Sequence, residues 1–283
     1  MENSIYNKKS RFSDNLLNFF IQFSTLISIV LLVVIIGYIC YRGIPHFSFD
    51  YLINTTSILK KTVGILPNII NTLYMIVVTL LIAGPISIGG AIYLNEYATN
   101  KKLVHIISFT TEVLAGIPSI IYGLFGLLFF TTALKWGFSL LSGSLTLVIM
   151  ILPLVIRTTE EALKSVPDSY REASFGLGAG KLRTIFKVVL PSAVPGILAG
   201  VILATGRIVG ETAALLYTAG SVAKIPNLMG SGRTLAVHMY VLSSEGLYMD
   251  QAYATAVVLL VFVLVLNGIS NLLAKQLTKG RNA

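Results

Sequence analysis

The sequence predicts an all-α, polytopic membrane protein with six transmembrane helices. Hydrophobic residues occupy 55% of the 283 positions and charged residues 12%, which is too few charges to cover a soluble domain of this size. A hydrocarbon core about 30 Å thick needs roughly 20 mostly apolar residues per helix. Six runs of about that length are present, at about 16–41, 67–94, 104–132, 138–156, 192–219 and 252–274.

The first three runs each need a separate justification. The first follows a basic segment, but it is too long for a signal peptide and has no small-residue cleavage site, so we expect an uncleaved helix. The second contains Gly84-Pro85, and the third is interrupted by Gly116 and Pro118. In a membrane, such breaks are tolerated only where neighbouring helices or trapped water satisfy the freed backbone groups.

The last three runs are more regular. The fourth ends before Arg157 and the sixth is uncharged until Lys275. The fifth contains Arg207 and Glu211. Charged residues at such positions are costly in lipid, so we expect them to face the interior of the bundle.

The distribution of Lys and Arg predicts the orientation. If the N-terminus is cytosolic, 14 of the 21 basic residues lie on the cytosolic side and six on the other side. The positive-inside rule therefore places both termini in the cytosol. It makes residues 1–15 a cytosolic segment, 157–191 a cytosolic loop and 276–283 a cytosolic tail, and it leaves 42–66 and 221–250 outside. The net charge of +9 is then mainly a matter of topology and contact with anionic lipid.

Several other functions find no support in the sequence. The basic residues are scattered over loops, which argues against a nucleic-acid partner. Cys40 is the one cysteine, and His46, His105 and His238 have no second ligand at helical spacing, so no metal site is expected. We find no nucleotide-binding glycine loop and no catalytic triad, and we expect a non-catalytic chain that binds no cofactor.

The loop at 157–191 is amphipathic and is interrupted by proline and glycine residues. It predicts a capped helix from Thr158, a turn at Pro167-Asp168-Ser169 and a short helix from Tyr170 to Leu177. After a break at Gly178-Ala179-Gly180, it predicts a further helix with an apolar stripe. By itself, that last helix is typical of a segment that rests on lipid headgroups.

The motif in this loop resembles the EAA loop of binding-protein-dependent ABC importer permeases. The family pattern is Glu-Ala-Ala, three residues, Gly, nine residues, Ile, one residue and Leu-Pro. Ser174 replaces the second alanine and Val188 replaces isoleucine, and the matching positions are Glu172, Ala173, Gly178, Leu190 and Pro191. The resemblance implies the type I importer permease fold and a coupling helix that docks on a cytosolic ATPase, with Glu172 at the contact and Gly178 allowing a close turn.

Other motifs resemble the phosphate branch of these permeases, and within it the PstA type of subunit. They are Gly64-Ile65-Leu66-Pro67, Leu114-Ala115-Gly116-Ile117-Pro118-Ser119, Arg207-Ile208-Val209-Gly210-Glu211-Thr212 and Gly230-Ser231-Gly232-Arg233-Thr234. The resemblance implies four partners besides the membrane: a paralogous PstC-like permease, two copies of a PstB-like ATPase that uses ATP and Mg, and an extracytoplasmic PstS-like phosphate-binding protein.

Arg207 and Glu211 are the candidate residues of the substrate pathway. In a continuous helix they are four residues apart and lie on one face. A guanidinium holds phosphate through parallel hydrogen bonds, and a neighbouring carboxylate would keep the empty site from trapping the anion. A purely structural ion pair that lowers the cost of insertion explains the spacing equally well, and the family resemblance favours the pathway. Glu112 is expected to snorkel or cap near the cytosolic interface.

Three alternative functions remain open from the sequence. The same machine could carry another oxyanion, such as molybdate or sulfate. A secondary transporter would need coupling-ion carboxylates within the spans, where only Arg207 and Glu211 clearly lie. A membrane signalling partner that translocates nothing would retain the loop without the pathway.

Overall fold

The computed structural model of the chain describes residues 12–57, 62–246 and 248–279. Twelve α-helices lie in these ranges: α1 (Phe12–Gly43), α2 (Phe49–Ile53), α3 (Leu66–Ile92), α4 (Lys101–Ala115), α5 (Ser119–Gly126), α6 (Leu140–Lys164), α7 (Asp168–Gly176), α8 (Lys181–Thr184), α9 (Leu190–Gly210), α10 (Ala213–Thr218), α11 (Leu235–Glu245) and α12 (Met249–Lys279). A short antiparallel pair, β1 (Thr55–Ser57) and β2 (Thr62–Ile65), precedes α3.

Wider helical turns extend three of the helices, and a narrower turn follows one. π-helical segments continue α3 through Tyr93–Tyr97 and α5 through Leu127–Ala133, and another joins α8 to α9 through Ile185–Val189. A 3₁₀ turn at Ile44–His46 follows α1.

Among the described residues, five helices are long and apolar enough to cross a bilayer. They are Asp14–His46, Leu66–Tyr97, Leu140–Lys164, Lys181–Gly210 and Met249–Leu272. A sixth crossing exists if the bent pair Lys101–Ala115 and Ser119–Ala133 is one span. The prediction of an all-α polytopic membrane protein is confirmed, with the small β1–β2 hairpin as an addition that hydropathy did not indicate.

The run at 104–132 differs most from a straight span. Its two helices, α4 and α5, meet at 97° across Gly116–Pro118. Pro118 has no N–H and adopts an extended conformation, with φ −58° and ψ 139°, so the helix cannot continue through it. The Tyr122 hydroxyl donates to the Leu114 carbonyl at 2.8 Å and satisfies one backbone group freed by the break.

The expected end of the fourth span also moves. α6 continues to Lys164, so residues 157–164 of the expected cytosolic loop are its last turns. Ion pairs between residues four apart stabilise this end: Arg157 pairs with Glu161 at 3.1 Å and Lys164 with Glu160 at 3.1 Å. α6 therefore stays packed against the bundle up to the start of the loop that contains α7.

The core lies around α6. Its fully buried side chains pack against α3, α5, α9 and α10, and the largest cluster includes Met75, Leu147, Ile151, Ile208 and Leu215. A second cluster, with Leu163, Val189 and Ala193, joins α3, α6 and α9 below it. α6 is therefore the helix against which the other spans are positioned.

α1 lies beside this bundle rather than within it. Its contacts are concentrated near its C-terminal end, where Gly43 approaches the Tyr253 carbonyl of α12 closely. Arg42 also pairs with Asp250 at 3.5 Å on the surface. Most of its apolar side chains are exposed, which suits a helix surrounded by lipid.

Close packing of α5 on α10 depends on Gly123. A Cβ atom at this position would lie 2.7 Å from the Ala214 Cα, so the two helices would have to separate. We expect Gly123→Ala to destabilise the protein by about 1–3 kcal/mol because the interface becomes overpacked. Gly268→Ala in α12 is the matched control, since no atom lies within 4 Å of its Cβ. Thermal unfolding of the purified variants measures the difference, and equal midpoints would contradict the close approach.

Candidate coupling and translocation sites

The motif helix α7 is short and sharply ended. It begins after Pro167 and ends at Gly176, and Gly178 follows with φ +79°, a conformation that favours glycine. The Gly178 N–H donates to the Phe175 carbonyl at 2.9 Å, and the Ala179 N–H donates to the Ser174 carbonyl at 3.1 Å. These bonds form a Schellman motif, which satisfies carbonyls at the helix end.

The motif side chains of α7 point to two different environments. Glu172 and Ala173 are exposed, so they are available to a partner. Ser174 is buried and shares a 2.8 Å hydrogen bond with the Thr184 hydroxyl of α8. The small residue at 174 therefore lets α7 fold back on the start of the next helix, and Glu172 lies on the opposite, open side.

The expected headgroup helix is instead the first part of the fifth span. α8, the π-helical segment and α9 form one helix from Lys181 to Gly210. Ile185 and Val189 are buried against the bundle, while Leu182 and Phe186 are exposed. The apolar stripe therefore packs on protein along one edge and faces outward along the other.

Leu190 and Pro191 lie at the join between the loop and the span. Leu190 packs on the second core cluster, which contains Val189 and Leu163. Pro191 is the second residue of α9, directly after the π-helical segment, a position where its missing N–H is accommodated. These two motif residues thus fasten the helix to the bundle, away from the exposed face of α7.

An ion pair that the sequence did not reveal ties α7 to the spans. Arg171 donates to Glu96 at 2.7 Å, across 75 residues, and both side chains are mostly buried. The same guanidinium donates to the Val166 carbonyl at 2.9 Å and to the Leu163 carbonyl at 3.1 Å. Arg171 therefore connects the helix beside Glu172 with the ends of α6 and of the extended α3.

A second contact fastens the adjoining helix to the same place. The Lys181 ammonium lies 5.0 Å from the ring centroid of Tyr97, a cation–π geometry. Tyr97 ends the π-helical extension of α3, which also contains Glu96. α7 and α8 are therefore attached to the extended α3 through two separate contacts.

The two carboxylates on Arg171 provide a direct comparison. Glu96 is 9% exposed, whereas Asp168, 3.1 Å from the same guanidinium, is 87% exposed. We expect Glu96→Gln to lower the free energy of unfolding by about 1.5–3 kcal/mol, because it removes a mostly buried charged hydrogen bond and leaves Arg171 only the exposed Asp168 as a counter-charge. Asp168→Asn removes only a surface pair and should cost about 0–1 kcal/mol. Thermal unfolding of both variants tests this order, and the reverse order would contradict the assigned role of Glu96.

The glycine turn permits a second matched test. A methyl group at Gly178 forces an L residue into the left-handed region, and we expect Gly178→Ala to destabilise the turn by about 1–2 kcal/mol. Gly176 has helical geometry and open space around it, so Gly176→Ala is the control. Proteolysis rates at the loop report its local stability. Equal rates for the two variants would show that the turn does not require glycine.

Arg207 lies on α9 and faces a groove between spans. The groove has a volume of about 620 Å³ and is lined by Leu154, Ala199, Ile202, Leu203, Gly206, Arg207 and Asn267. The guanidinium is half-buried, and no ion pair engages it among the described residues. A cation without a carboxylate partner in an otherwise apolar groove is a favourable place for an anion.

Glu211 does not occupy the position that helical spacing predicted. α9 ends at Gly210, and Glu211 is extended, with φ −71° and ψ 126°. Its carboxylate accepts a hydrogen bond from the Ala214 N–H at 3.0 Å, at the start of α10. The fifth span is therefore broken after Gly210, and the expected pair with Arg207 on one helical face is wrong for this structure. The carboxylate is held by the positive end of α10 instead.

Glu112 also differs from its expected role. It pairs with Arg157 at 3.2 Å, joining α4 to the C-terminal part of α6. Both side chains are exposed, so this pair contributes little to stability. The prediction of a snorkelling or capping carboxylate is replaced by a surface contact between two helices. Among the described residues, no group of three His, Cys, Asp or Glu side chains could hold a metal.

A protein-family model described as "Binding-protein-dependent transport system inner membrane component" matches residues 87–281. The chain belongs to this family. It is accordingly a permease subunit of an ABC importer, and permeases of this kind are the non-catalytic membrane subunits of their transporters. The importer-permease resemblance predicted from the EAA loop is confirmed.

Individual proteins agree with this assignment. "Probable ABC transporter permease protein YqgI" of Bacillus subtilis (strain 168) is 37% identical over 254 residues, which cover 84% of this chain and 86% of that protein. "Phosphate transport system permease protein PstA" of Pasteurella multocida (strain Pm70) is 34% identical over 249 residues, with coverage of 84% and 86%.

The fold is also that of solved importers. A chain of a bacterial alginate ABC transporter, in complex with an alginate pentasaccharide-bound periplasmic protein, has a TM-score of 0.68. It is 18% identical, and the match covers 95% of this chain and 99% of that one. At this identity the likeness shows the fold alone, which is the permease fold predicted from the sequence.

Proposed function

We propose that the chain is the PstA-type permease subunit of an ATP-driven importer of inorganic phosphate. The observation that carries the proposal is Arg207, a cation in a groove between spans with no ion pair among the described residues. A planar guanidinium stays charged at any physiological pH and binds phosphate oxygens in pairs. The PstA name of the Pasteurella multocida relative supports phosphate as the anion.

The proposed assembly has the partners of a binding-protein-dependent importer. A paralogous PstC-like permease completes the translocation path, and two PstB-like ATPases supply energy from ATP and Mg on the cytosolic side. A PstS-like binding protein delivers phosphate to the segments at 42–66 and 221–250. In this proposal the loop at 157–191 and both termini lie in the cytosol, and the protein lies in the cytoplasmic or inner membrane; the excess of basic residues in the loop supports this orientation.

Coupling follows from the attachment of α7. Its exposed face, with Glu172 and Ala173, is free to contact the ATPase. Its other side is fastened to α3 and α6 by Arg171 and to α8 by Ser174. A displacement of α7 on ATP binding is therefore transmitted to the ends of the spans around Arg207.

The break after Gly210 changes the proposed role of Glu211. In this conformation its carboxylate is occupied by the Ala214 N–H, so the positive charge of Arg207 is not neutralised by it. The backbone between α9 and α10 is the place where the distance between the two side chains can change. We propose that in a different state of the cycle the Glu211 carboxylate approaches Arg207 and competes with the bound anion. This competition favours release of the anion.

A substitution of Arg207 tests the pathway. A hydrogen bond to a charged group contributes about 1.5–3 kcal/mol, so Arg207→Gln should lower phosphate uptake by roughly 10- to 100-fold. Uptake is measured in cells that lack their own high-affinity system and carry the full complex. Lys135→Gln removes an exposed charge outside the segments assigned to partners and should leave uptake unchanged.

Two further measurements interpret the result. Co-purification of the four kinds of subunit shows whether the variant assembles, and loss of uptake without assembly would assign Arg207 a structural role. Uptake of sulfate and molybdate by the wild-type complex tests the other oxyanions. Unchanged phosphate uptake in assembled Arg207→Gln would contradict the proposed pathway.

A further inference from the structure

A second group of polar side chains is buried away from Arg207. We call it the outer polar cluster: Asn68 and Asn71 of α3, Arg233 of the following loop and His238 of α11. Their exposed fractions are 0%, 1%, 7% and 0%. Neither the EAA loop nor the proposed pathway at Arg207 accounts for so many buried polar groups in one region.

Hydrogen bonds hold the elements of this cluster together. The Asn71 amide donates to the Arg233 carbonyl at 3.1 Å and to the Lys224 carbonyl at 2.9 Å. Thr72, in the same turn of α3 as Asn68, links α3 to α11. Its hydroxyl accepts a hydrogen bond from the Leu235 N–H at 2.9 Å and donates one to the Asn68 carbonyl at 2.6 Å. The loop before α11 and the start of α11 are therefore fixed on the outer end of α3.

Several polar atoms of the cluster have no hydrogen-bond partner among the described residues. They are Asn68 Oδ1 and Nδ2, Asn71 Oδ1, Arg233 Nε, and His238 Nδ1 and Nε2. An unsatisfied buried polar group costs about 1–3 kcal/mol, and a buried charge costs more. Buried groups of this kind usually have a partner, so a cluster of them indicates a bound species.

The charge of the cluster is positive. No ion pair engages Arg233 among the described residues, and Glu245 and Tyr51 affect it only electrostatically. Burial and the nearby Arg233 charge lower the pKa of His238 to about 3. Burial raises the pKa of Tyr51 to about 12. Near neutral pH the imidazole and the phenol are therefore uncharged, and Arg233 supplies one uncompensated positive charge.

The chemistry of these groups suits an anion that also carries a hydrogen. Arg233 Nε–H, the Asn68 amide and one imidazole N–H are donors, whereas Asn71 Oδ1 and the second imidazole nitrogen are acceptors. Phosphate near neutral pH presents both O⁻ acceptors and at least one P–OH donor. Sulfate has no hydrogen, so it would leave the buried acceptors unpaired, and a site with unpaired polar groups discriminates strongly.

We propose that the outer polar cluster binds phosphate as a second anion site, separate from Arg207, and selects it over sulfate by accepting its P–OH hydrogen. This proposal rests on the proposed phosphate function. The cluster is closed to solvent here, so the anion enters when the loop at 221–234 separates from α3. The site then holds phosphate between delivery from outside and passage to Arg207.

The test uses the full transporter complex in lipid nanodiscs without the binding protein. Phosphate should raise the thermal unfolding midpoint by about 2–4 °C relative to sulfate at equal ionic strength, because a ligand stabilises the state that it binds. This phosphate-specific shift should persist in Arg207→Gln and vanish in Arg233→Gln. Lys135→Gln is the control, since its side chain is exposed and it lies outside the cluster and outside the segments assigned to partners.

Uptake by the same variants provides the functional readout. Arg233→Gln should reduce phosphate uptake at least tenfold with the complex assembled, and Lys135→Gln should leave it unchanged. Equal shifts with phosphate and sulfate in the wild type, or a shift retained in Arg233→Gln, would overturn the proposal. If Arg207→Gln leaves uptake unchanged, the proposed pathway is contradicted. The second site is then judged by the phosphate-specific shift alone.

Asn68→Asp separates anion binding from a structural requirement, including the case in which Arg233→Gln does not assemble. The new carboxylate supplies Arg233 with a negative neighbour and repels an incoming anion. We expect the variant to assemble, to lose the phosphate-specific shift and to import phosphate at least tenfold more slowly. Assembly with normal uptake and a retained shift would mean that Arg233 needs only a counter-charge, and the proposal would fail.

Discussion

A lipid interior contains no water for a free backbone amide or carbonyl, and this constraint governs where the spans of this protein are interrupted. At the bend between α4 and α5, the Tyr122 hydroxyl satisfies the Leu114 carbonyl. At the break between α9 and α10, the Glu211 carboxylate satisfies the Ala214 N–H. One side chain at each position thus allows the chain to leave the helical path. Both breaks adjoin the closely packed α5–α10 interface, so two irregular segments stabilise each other next to the regular core on α6.

The end of the bundle that carries α7 obeys a different constraint, because in the proposed function it transmits movement from a partner. α7 is too short to be stable alone, and buried contacts at Arg171 and Ser174 hold it in place. Arg171 reaches the last carbonyls of α6 and the carboxylate beyond α3. These contacts attach the helix to the spans, while Glu172 stays exposed on its open face. The Gly178 turn keeps the following helix close enough for the Ser174–Thr184 bond.

Arg207 and Arg233, which no ion pair engages in the described part of the chain, have different surroundings. Arg207 lies in an open groove lined mainly by apolar side chains, where a single positive charge acts on its surroundings. Arg233 lies in a closed polar region with amide and imidazole groups that both donate and accept hydrogen bonds. An open apolar groove favours passage of an anion, whereas a closed polar region favours its recognition. The difference in surroundings, rather than the shared guanidinium, is the reason for the different roles proposed for the two residues.

The sequence by itself determined the features that depend on local composition. Hydropathy located the membrane-crossing helices, since each depends on a run of its own residues, and the spacing from Glu172 to Pro191 indicated the coupling loop. Only the tertiary structure decided the angle of the bend at Pro118, the end of α9 before Glu211, and the pairing of Arg171 with Glu96. The burial of Arg233 with His238 was decided in the same way. Each of these depends on atoms from distant parts of the chain, and their contact energies override helical spacing where a side chain finds a better backbone partner.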